Sequence, residues 1–206
     1  MKKAAVLIYP QFCNFEISVA LEILAMAEKP MTIFAKKLTK IKSEEGMNVF
    51  PDKCISEIDI REYDSLLLPG AADIREAVED EEILSFIRLF RDGQKMIGAI
   101  STAPLLLVKS GVMEGRPFMA GIDREELYEE GFTEQELAKM QGWSDNLINP
   151  VKEGYLISER VVTSVSYEFV RFGLAFGRLV GIDIPEENFG VRHTAQGGFE
   201  KNGESR

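Results

Sequence analysis

The chain has 206 residues, of which 45% are hydrophobic and 28% charged, with a formal net charge of −10. This length and composition predict one globular domain with a sizeable hydrophobic core. The acidity argues against nucleic acids and anionic membranes as partners, because both bind basic surfaces.

Cysteine usage and the apolar runs point to a cytoplasmic protein. Cys13 and Cys54 cannot form a disulfide framework and do not have the spacing of metal ligands, so we expect no metal or cofactor. The apolar run Ala4–Tyr9 is too short for a signal peptide and ends at Pro10, which predicts a buried first strand. No run reaches the ~20 apolar residues of a membrane span.

The predicted elements alternate between strands and helices. Buried strands show as continuous apolar runs and helices as apolar residues at helical spacing. A hairpin is predicted within Lys36–Phe50, and the acidic stretch Asp123–Gln141 is predicted to be helical with some loop, its charges forming a solvated face. In chain order, the other elements are strand Ala4–Tyr9, helix Phe15–Ala27, strands Met31–Ala35 and Ser65–Leu68, helix Asp80–Arg91, strand Met96–Ile100, helix Thr102–Ser110, a short strand in Arg116–Gly121, strand Val161–Ser164 and helix Glu168–Val180.

This alternation predicts an α/β protein with a mostly parallel sheet covered by helices on both faces. We expect a single domain over residues 1–184, followed by a polar tail over residues 185–206. Ligands of such sheets bind beyond the carboxyl ends of the strands. The candidate loops there are Pro10–Asn14, Pro69–Asp73 and the turn at Ser101.

The turn at Ser101 joins a predicted buried strand directly to a helix. Ala99 and Ala103 flank the serine two positions away on each side, as small residues do in a nucleophile elbow, where a sharp turn raises one side chain above the sheet. The amides of the following helix would favour a developing anion. The alternative is that Ser101 only caps the helix.

Three motifs occur in an order that resembles the ThiJ/PfpI family of the class I glutamine amidotransferase-like superfamily, over roughly residues 4–182. They are Leu7-Ile8-Tyr9-Pro10-Gln11-Phe12 followed by Glu16, then Tyr63-Asp64-Ser65-Leu66-Leu67-Leu68-Pro69-Gly70, then Ala99-Ile100-Ser101-Thr102-Ala103-Pro104. The third motif is most similar to the isocyanide-hydratase subgroup. The resemblance implies a flavodoxin-like fold and a homodimer.

The resemblance also implies roles for particular residues. The family has a cysteine at the position of Ser101, with an acidic residue from the first helix beside it, which Glu16 matches. The amides of Ala71, after the turn at Gly70, and of Thr102 would form an oxyanion hole. A histidine would fall at Gly121 or Ala120, and neither is one. A serine hydroxyl is much less acidic than a thiol and needs a general base.

Several other residues have open alternatives. Cys13 precedes Glu16 and either replaces the lost thiol or fills the core. His193, the only histidine, either reaches the pocket or belongs to a solvated tail. Ser164, Ser166 and Tyr167 either line the pocket or cap the last helix. Trp143, with Asp145 and Asn146, either forms a pocket wall or anchors a loop.

Three functions follow from these observations. The leading hypothesis is a protein that binds a small molecule at a degenerate site around Ser101 and Glu16, without cysteine chemistry. The second is an active hydrolase or lyase of the amidase, isocyanide-hydratase or glyoxalase type that uses Ser101 and Glu16. The third is a dimeric interaction module, in which the segment Phe169–Phe176 either contributes an interface or, as its apolar surface favours, belongs to the core.

Overall fold

A computed structural model of the protein describes residues 2–91, 94–141 and 151–191. The strands are β1 (Lys3–Leu7), β2 (Met31–Ala35), β3 (Ile41–Lys42), β4 (Asn48–Val49), β5 (Lys53–Cys54), β6 (Tyr63–Leu68), β7 (Met96–Ile100), β8 (Tyr155–Ser158) and β9 (Val161–Ser164). The α-helices are α1 (Asn14–Met26), α2 (Arg75–Glu79), α3 (Glu81–Arg88), α4 (Pro104–Lys109), α5 (Arg124–Glu129), α6 (Glu134–Leu137) and α7 (Phe169–Leu179).

Seven strands form the main sheet, in the order β5-β2-β1-β6-β7-β9-β8. All neighbouring pairs are parallel except β8 with β9. The central strands β1, β6 and β7 are almost fully buried, which explains why they read as continuous apolar runs. The predicted mostly parallel α/β fold is confirmed, and the predicted hairpin is the antiparallel pair β3–β4.

The sequence analysis missed the two edge strands and placed one strand wrongly. β5 has only two residues, and β8 leaves Ile157 49% exposed, so neither has the pattern of a buried strand. The strand predicted in Arg116–Gly121 is absent, and only an isolated bridge joins Phe118 to Met140. Only its middle, Phe118 to Ala120, is buried, and Met119 N–H donates to the Thr163 hydroxyl rather than to a strand carbonyl, so no ladder forms.

Two groups of helices cover the sheet, one containing α1 and α7 and the other α2, α3 and α4. Within α7, Phe172 and Phe176 are fully buried, as the core interpretation of this segment predicted. The Phe176 ring packs directly against Gly98 on β7, because a Cβ on Gly98 would lie only 2.6 Å from the ring. The packing of α7 on β7 therefore supports the strand that leads into the Ser101 turn.

Short 3₁₀ helices lie at Ile55–Glu57, Ile60–Glu62, Ser166–Glu168 and Glu186–Phe189. In the described ranges, no helix is long and apolar enough to cross a membrane.

A close approach of α1 to α7 depends on Gly173. A Cβ there would lie 2.6 Å from Val19 Cγ1 and 2.8 Å from the Ala20 backbone nitrogen. Alanine at an exposed helical glycine would stabilise by about 1 kcal/mol. For Gly173→Ala we expect the opposite sign, a net loss on the order of 1–2 kcal/mol, because a clash with a backbone atom belongs in the upper part of the ~1–3 kcal/mol overpacking range and exceeds that gain.

Urea unfolding measures this difference. Arg171→Ala, on the exposed side of the same helix, is the control and should stay close to the parent free energy of unfolding. A Gly173→Ala protein as stable as the parent or more stable would contradict the packing described here.

Candidate functional site

Ser101 lies on a sharp turn between β7 and α4, in a backbone conformation that L residues avoid. Its φ is +62°, in the left-handed region that costs a non-glycine residue about 1–2 kcal/mol. Two hydrogen bonds hold the backbone: Ser101 N–H donates to Ser164 O at 2.9 Å, and Gly121 N–H donates to Ser101 O at 2.7 Å. α4 has Ala103 as its N-cap and no side-chain cap, so the helix-cap interpretation of Ser101 is wrong.

Glu16 lies in the first turn of α1 and is 2% exposed. Its Oε2 accepts a hydrogen bond of 2.7 Å from Gly70 N–H. A Cβ on Gly70 would lie 2.6 Å from this Oε2 and 2.7 Å from Ser101 Cβ. Glycine is therefore required at position 70, and its lack of a side chain allows Glu16 and Ser101 to meet at the carboxyl ends of β6 and β7.

Burial has the largest effect on the pKa of the Glu16 carboxyl group. It raises the pKa from 4.5 to about 7, against the lowering effects of hydrogen bonds from the Ser101 hydroxyl and Gly70 N–H. The carboxylates of Glu44 and Glu45, next to the tight turn of the β3–β4 hairpin, raise the pKa further. Glu16 is therefore a mixture of acid and carboxylate near neutral pH. Sequence analysis found Glu16 but not these two neighbours, because the hairpin reaches it only in the folded chain.

Ala71 and Thr102, the two residues expected to supply oxyanion amides, lie next to each other. Ala71 N–H donates to Thr102 Oγ1 at 3.0 Å, and the Thr102 hydroxyl donates to Ala71 O at 3.3 Å. In the part of the chain that the structure describes, Thr102 N–H has no protein acceptor. One of the two expected donors is thus already engaged by a side chain of the protein.

A cavity of about 520 Å³ opens beside these two residues. Carboxylates dominate its polar lining, and Asp73 is paired with Arg75 at 2.5 Å. The remaining lining comes from the segment between β6 and α2, from the Ser101 turn and from residues around α5, namely Ala71, Ala72, Ile74, Thr102, Ile122, Glu126, Glu129 and Glu130. No pattern in the sequence indicated that the acidic helix α5 would form a wall of this cavity.

Cys13 is a buried thiol on the loop before α1. Its Sγ donates to a Glu44 carboxylate oxygen, and its backbone N–H donates to Gly70 O at 2.8 Å. Burial raises the Cys13 pKa, and the hydrogen bond to Glu44 raises it further, so the group stays a thiol. These contacts favour the structural interpretation of Cys13 over a reactive one.

Ala120 is buried, and Gly121 N–H donates to the Ser101 carbonyl. A Cβ on Gly121 would lie 3.6 Å from Ser101 Oγ, in ordinary contact distance. A side chain at position 121 would therefore contact the Ser101 hydroxyl. Because position 121 is glycine, this position contributes no proton-transfer group beside Ser101 Oγ.

The other candidates divide into described and undescribed residues. Ser164 donates its hydroxyl to Gly154 O at 2.6 Å and contributes its carbonyl to the Ser101 turn. Ser166 begins the 3₁₀ helix Ser166–Glu168, and α7 has no side-chain cap, so the capping interpretation is not supported. Trp143, Asp145, Asn146 and His193 lie outside the described residues.

Tyr9 is a buried contributor that the sequence analysis left out. Its hydroxyl donates to Pro69 O, in the residue before Gly70. The motif Leu7-Ile8-Tyr9-Pro10 contained the signal, but a tyrosine in an apolar run reads as core. Among the described residues, no group of three or more His, Cys, Asp or Glu is arranged to hold a metal ion.

Glu16 should make the free energy of unfolding depend on pH. A pKa raised from 4.5 to about 7 means that the folded protein holds this proton more tightly than the unfolded chain. The contribution to stability is full below about pH 4.5 and is lost as the pH rises through about 7. At about 1.4 kcal/mol per unit, the loss is about 3 kcal/mol.

Denaturant unfolding of the parent and Glu16→Gln from pH 4.5 to 8 isolates this contribution. The glutamine oxygen can still accept from Gly70 N–H, but the side chain does not titrate. As the pH rises from 4.5 to 8, we expect the free energy of unfolding of the parent to fall by about 3 kcal/mol relative to that of Glu16→Gln. A difference independent of pH would rule out the raised pKa.

The model of the DJ-1/PfpI family matches residues 2–175. "Protein/nucleic acid deglycase 2" of Escherichia coli is 34% identical over 121 residues, 58% of this chain and 70% of the relative. "Isonitrile hydratase" of Pseudomonas putida is 23% identical over 111 residues, 53% of this chain and 48% of the relative.

Solved structures share the fold. A DJ-1 superfamily protein from Agrobacterium tumefaciens superposes with a TM-score of 0.75 at 17% identity, over 92% of this chain and 95% of the other. The family match covers nearly all of the sheet and the helices around it, including Glu16, Gly70 and Ser101. The chain belongs to the DJ-1/PfpI family.

Proposed function

We propose that the chain binds a small molecule at the Ser101 turn and does not use the cysteine chemistry that the sequence resemblance associates with this position. The observation that carries the proposal is the left-handed backbone of Ser101, with φ of +62° and both its N–H and its carbonyl bonded. Such strain persists only where the surrounding structure maintains it, and it concentrates at functional sites.

The groups around Ser101 support binding better than nucleophilic attack. A serine hydroxyl needs a base to become a nucleophile, and position 121 contributes only hydrogen beside Ser101 Oγ. One expected oxyanion donor, Ala71 N–H, is engaged by Thr102. The site keeps the shape of a reactive turn but lacks the thiol and the histidine at position 120 or 121 that the resemblance implies, which is the sense in which we call it degenerate.

The cavity beside the turn indicates the class of ligand. It is lined by Thr102 and Ala71 on one side and by Glu126, Glu129 and Glu130 on the other. An anionic ligand would meet these carboxylates at close range, whereas a neutral or cationic compound would not. We therefore propose small neutral or positively charged carbonyl and amide compounds as ligands.

A thermal-shift and NMR screen of neutral amides and aldehydes, amino-amides and the matching carboxylates tests this proposal. We expect hits among the neutral and cationic compounds and a stabilisation that grows with ligand concentration. Gly121→Leu should abolish binding, since its side chain would enter the space beside Ser101 Oγ.

The matched control is Arg61→Leu, an exposed position just before β6, at the sheet end opposite the Ser101 turn. It should leave binding unchanged. Absence of any hit, or hits unaffected by Gly121→Leu, would overturn a binding site at this turn.

Glu16 supports a second candidate, an active hydrolase or lyase. A carboxyl group with a pKa of about 7 beside the Ser101 hydroxyl has the proton affinity that a general base needs near neutral pH. On this alternative, Glu16 accepts the Ser101 proton or activates a water molecule, and Thr102 N–H stabilises the developing anion.

Turnover of amide, isocyanide and glyoxal-type substrates separates this candidate from pure binding. An enzyme that uses ionised Glu16 should show kcat/KM rising to a plateau above about pH 7. Activity should fall on the order of 10²–10⁴-fold in Glu16→Gln and in Ser101→Ala. Equal rates in the parent and both variants would exclude a role for either residue in turnover.

The homodimer remains a proposal supported by family membership. Exposed apolar side chains on α1 and at the base of the β3–β4 hairpin are available for it, with Phe15 42% and Phe50 69% exposed. The cytoplasmic location and the absence of metal and cofactor likewise remain proposals, as does an interaction role without catalysis.

A further inference from the structure

Thr102 holds a hydrogen-bonding position that a ligand could use. Its Oγ1 accepts from Ala71 N–H at 3.0 Å and donates to Ala71 O at 3.3 Å, so the hydroxyl binds both polar groups of one residue. Ala71 follows Gly70, which contacts Ser101 and Glu16, and Thr102 follows Ser101. This hydrogen-bonded pair therefore stands at the junction of the Ser101 turn and the adjoining cavity.

Ala71 and Thr102 are both accessible from the same cavity. Ala71 and Thr102 line the cavity of about 520 Å³, and Thr102 is only partly buried. A ligand in this cavity could offer an oxygen to Ala71 N–H only after the Thr102 hydroxyl has left it. Thr102 N–H, which has no acceptor within residues 2–91, 94–141 and 151–191, needs no such displacement.

We propose that the Thr102 hydroxyl is an internal occupant of the position where a ligand carbonyl oxygen would bind Ala71 N–H, and that Thr102 thereby decides whether the site stabilises such an oxygen. The inference rests on the proposed function, since it concerns the same turn. It makes Thr102 a specificity-determining residue. Within the described ranges, Thr102 N–H is the amide of this pair without a protein acceptor, and emptying the position of the Thr102 hydroxyl provides Ala71 N–H as a second donor.

The physical reason is competition for one donor. An N–H in a protein site forms one strong hydrogen bond, and an intramolecular acceptor pays no entropy of association. A neutral carbonyl group gains little by replacing a hydroxyl of similar acceptor strength. A developing oxyanion gains more, because hydrogen bonds to charged acceptors are about twice as strong. Removing the hydroxyl should therefore affect reactions that build negative charge on oxygen more than those that do not.

A reporter thiol at the turn makes this difference measurable. In a Ser101→Cys protein, the introduced thiolate attacks the carbonyl carbon of p-nitrophenyl acetate, a C–S bond forms, and the ester C–O bond breaks to release p-nitrophenolate. This reaction passes through an oxyanion. Alkylation of the same thiolate by iodoacetamide displaces iodide and builds no charge on oxygen, so it is an internal control for thiolate concentration and access.

The second-order rate constants are compared in Ser101→Cys alone and combined with Thr102→Ala, Thr102→Ser or Thr102→Val. The parent protein, which has only Cys13 and Cys54, gives the background to be subtracted. We expect Thr102→Ala to raise acylation at least tenfold relative to alkylation, toward the ~10²–10³-fold contributed by one oxyanion donor. Thr102→Ser keeps the hydroxyl, and Thr102→Val puts a methyl group in its place, so in both variants the position beside Ala71 N–H stays filled and the ratio should stay within about threefold of Ser101→Cys.

An acylation-to-alkylation ratio that does not change in Thr102→Ala, or that rises equally in all three variants, would overturn the proposal. The result is independent of the ligand screen. A raised ratio with no ligand found would retain the role of Thr102 and reject the proposed binding function. Ligands found together with an unchanged acylation-to-alkylation ratio would retain the proposed binding function and reject the role of Thr102.

Discussion

The close approach at Gly70 is the constraint on which the rest of the site depends. The residue brings its N–H within 2.7 Å of Glu16 Oε2, and a side chain there would collide with both Glu16 and Ser101. The loop after β6, the first turn of α1 and the Ser101 turn after β7 can therefore meet only at a glycine. Parallel strands with adjacent carboxyl ends bring these three segments to one edge of the sheet, and Gly70 lets them touch.

Burial of Glu16 at this junction has an electrostatic consequence. The carboxyl group receives hydrogen bonds from the Ser101 hydroxyl and Gly70 N–H, and two further carboxylates approach from the β3–β4 hairpin. Desolvation then outweighs the hydrogen bonds and keeps the proton on Glu16 up to about pH 7. A protein with a net charge of −10 thus places a titrating acid where it can either donate to a ligand or accept from Ser101.

At the same junction, the backbone conformation of the Ser101 turn and the side chains around it have separate causes. The strain at Ser101 depends on backbone hydrogen bonds to Ser164 O and from Gly121 N–H, which do not require any particular side chain at position 101. The reactivity of such a turn depends instead on the side chains at positions 101 and 121 and on the group that accepts a hydrogen bond from Ala71 N–H. In this chain, position 101 is serine, position 121 is glycine, and the acceptor is the Thr102 hydroxyl.

The sequence by itself determined the parallel α/β core and the turn at Ser101, because buried strands require continuous apolar runs and the turn requires small neighbours. Glu16 was predicted from the family resemblance and not from such a pattern. Sequence patterns failed where backbone bonding, not side-chain pattern, decides the structure: in β5, in β8 and in Arg116–Gly121, whose apolar residues are buried without a ladder. Only the tertiary structure decided that Glu44 and Glu45 raise the Glu16 pKa, that Cys13 stays a thiol and that Thr102 engages Ala71. Each of these depends on distances between segments about 30 residues apart, and no local pattern carries such distances.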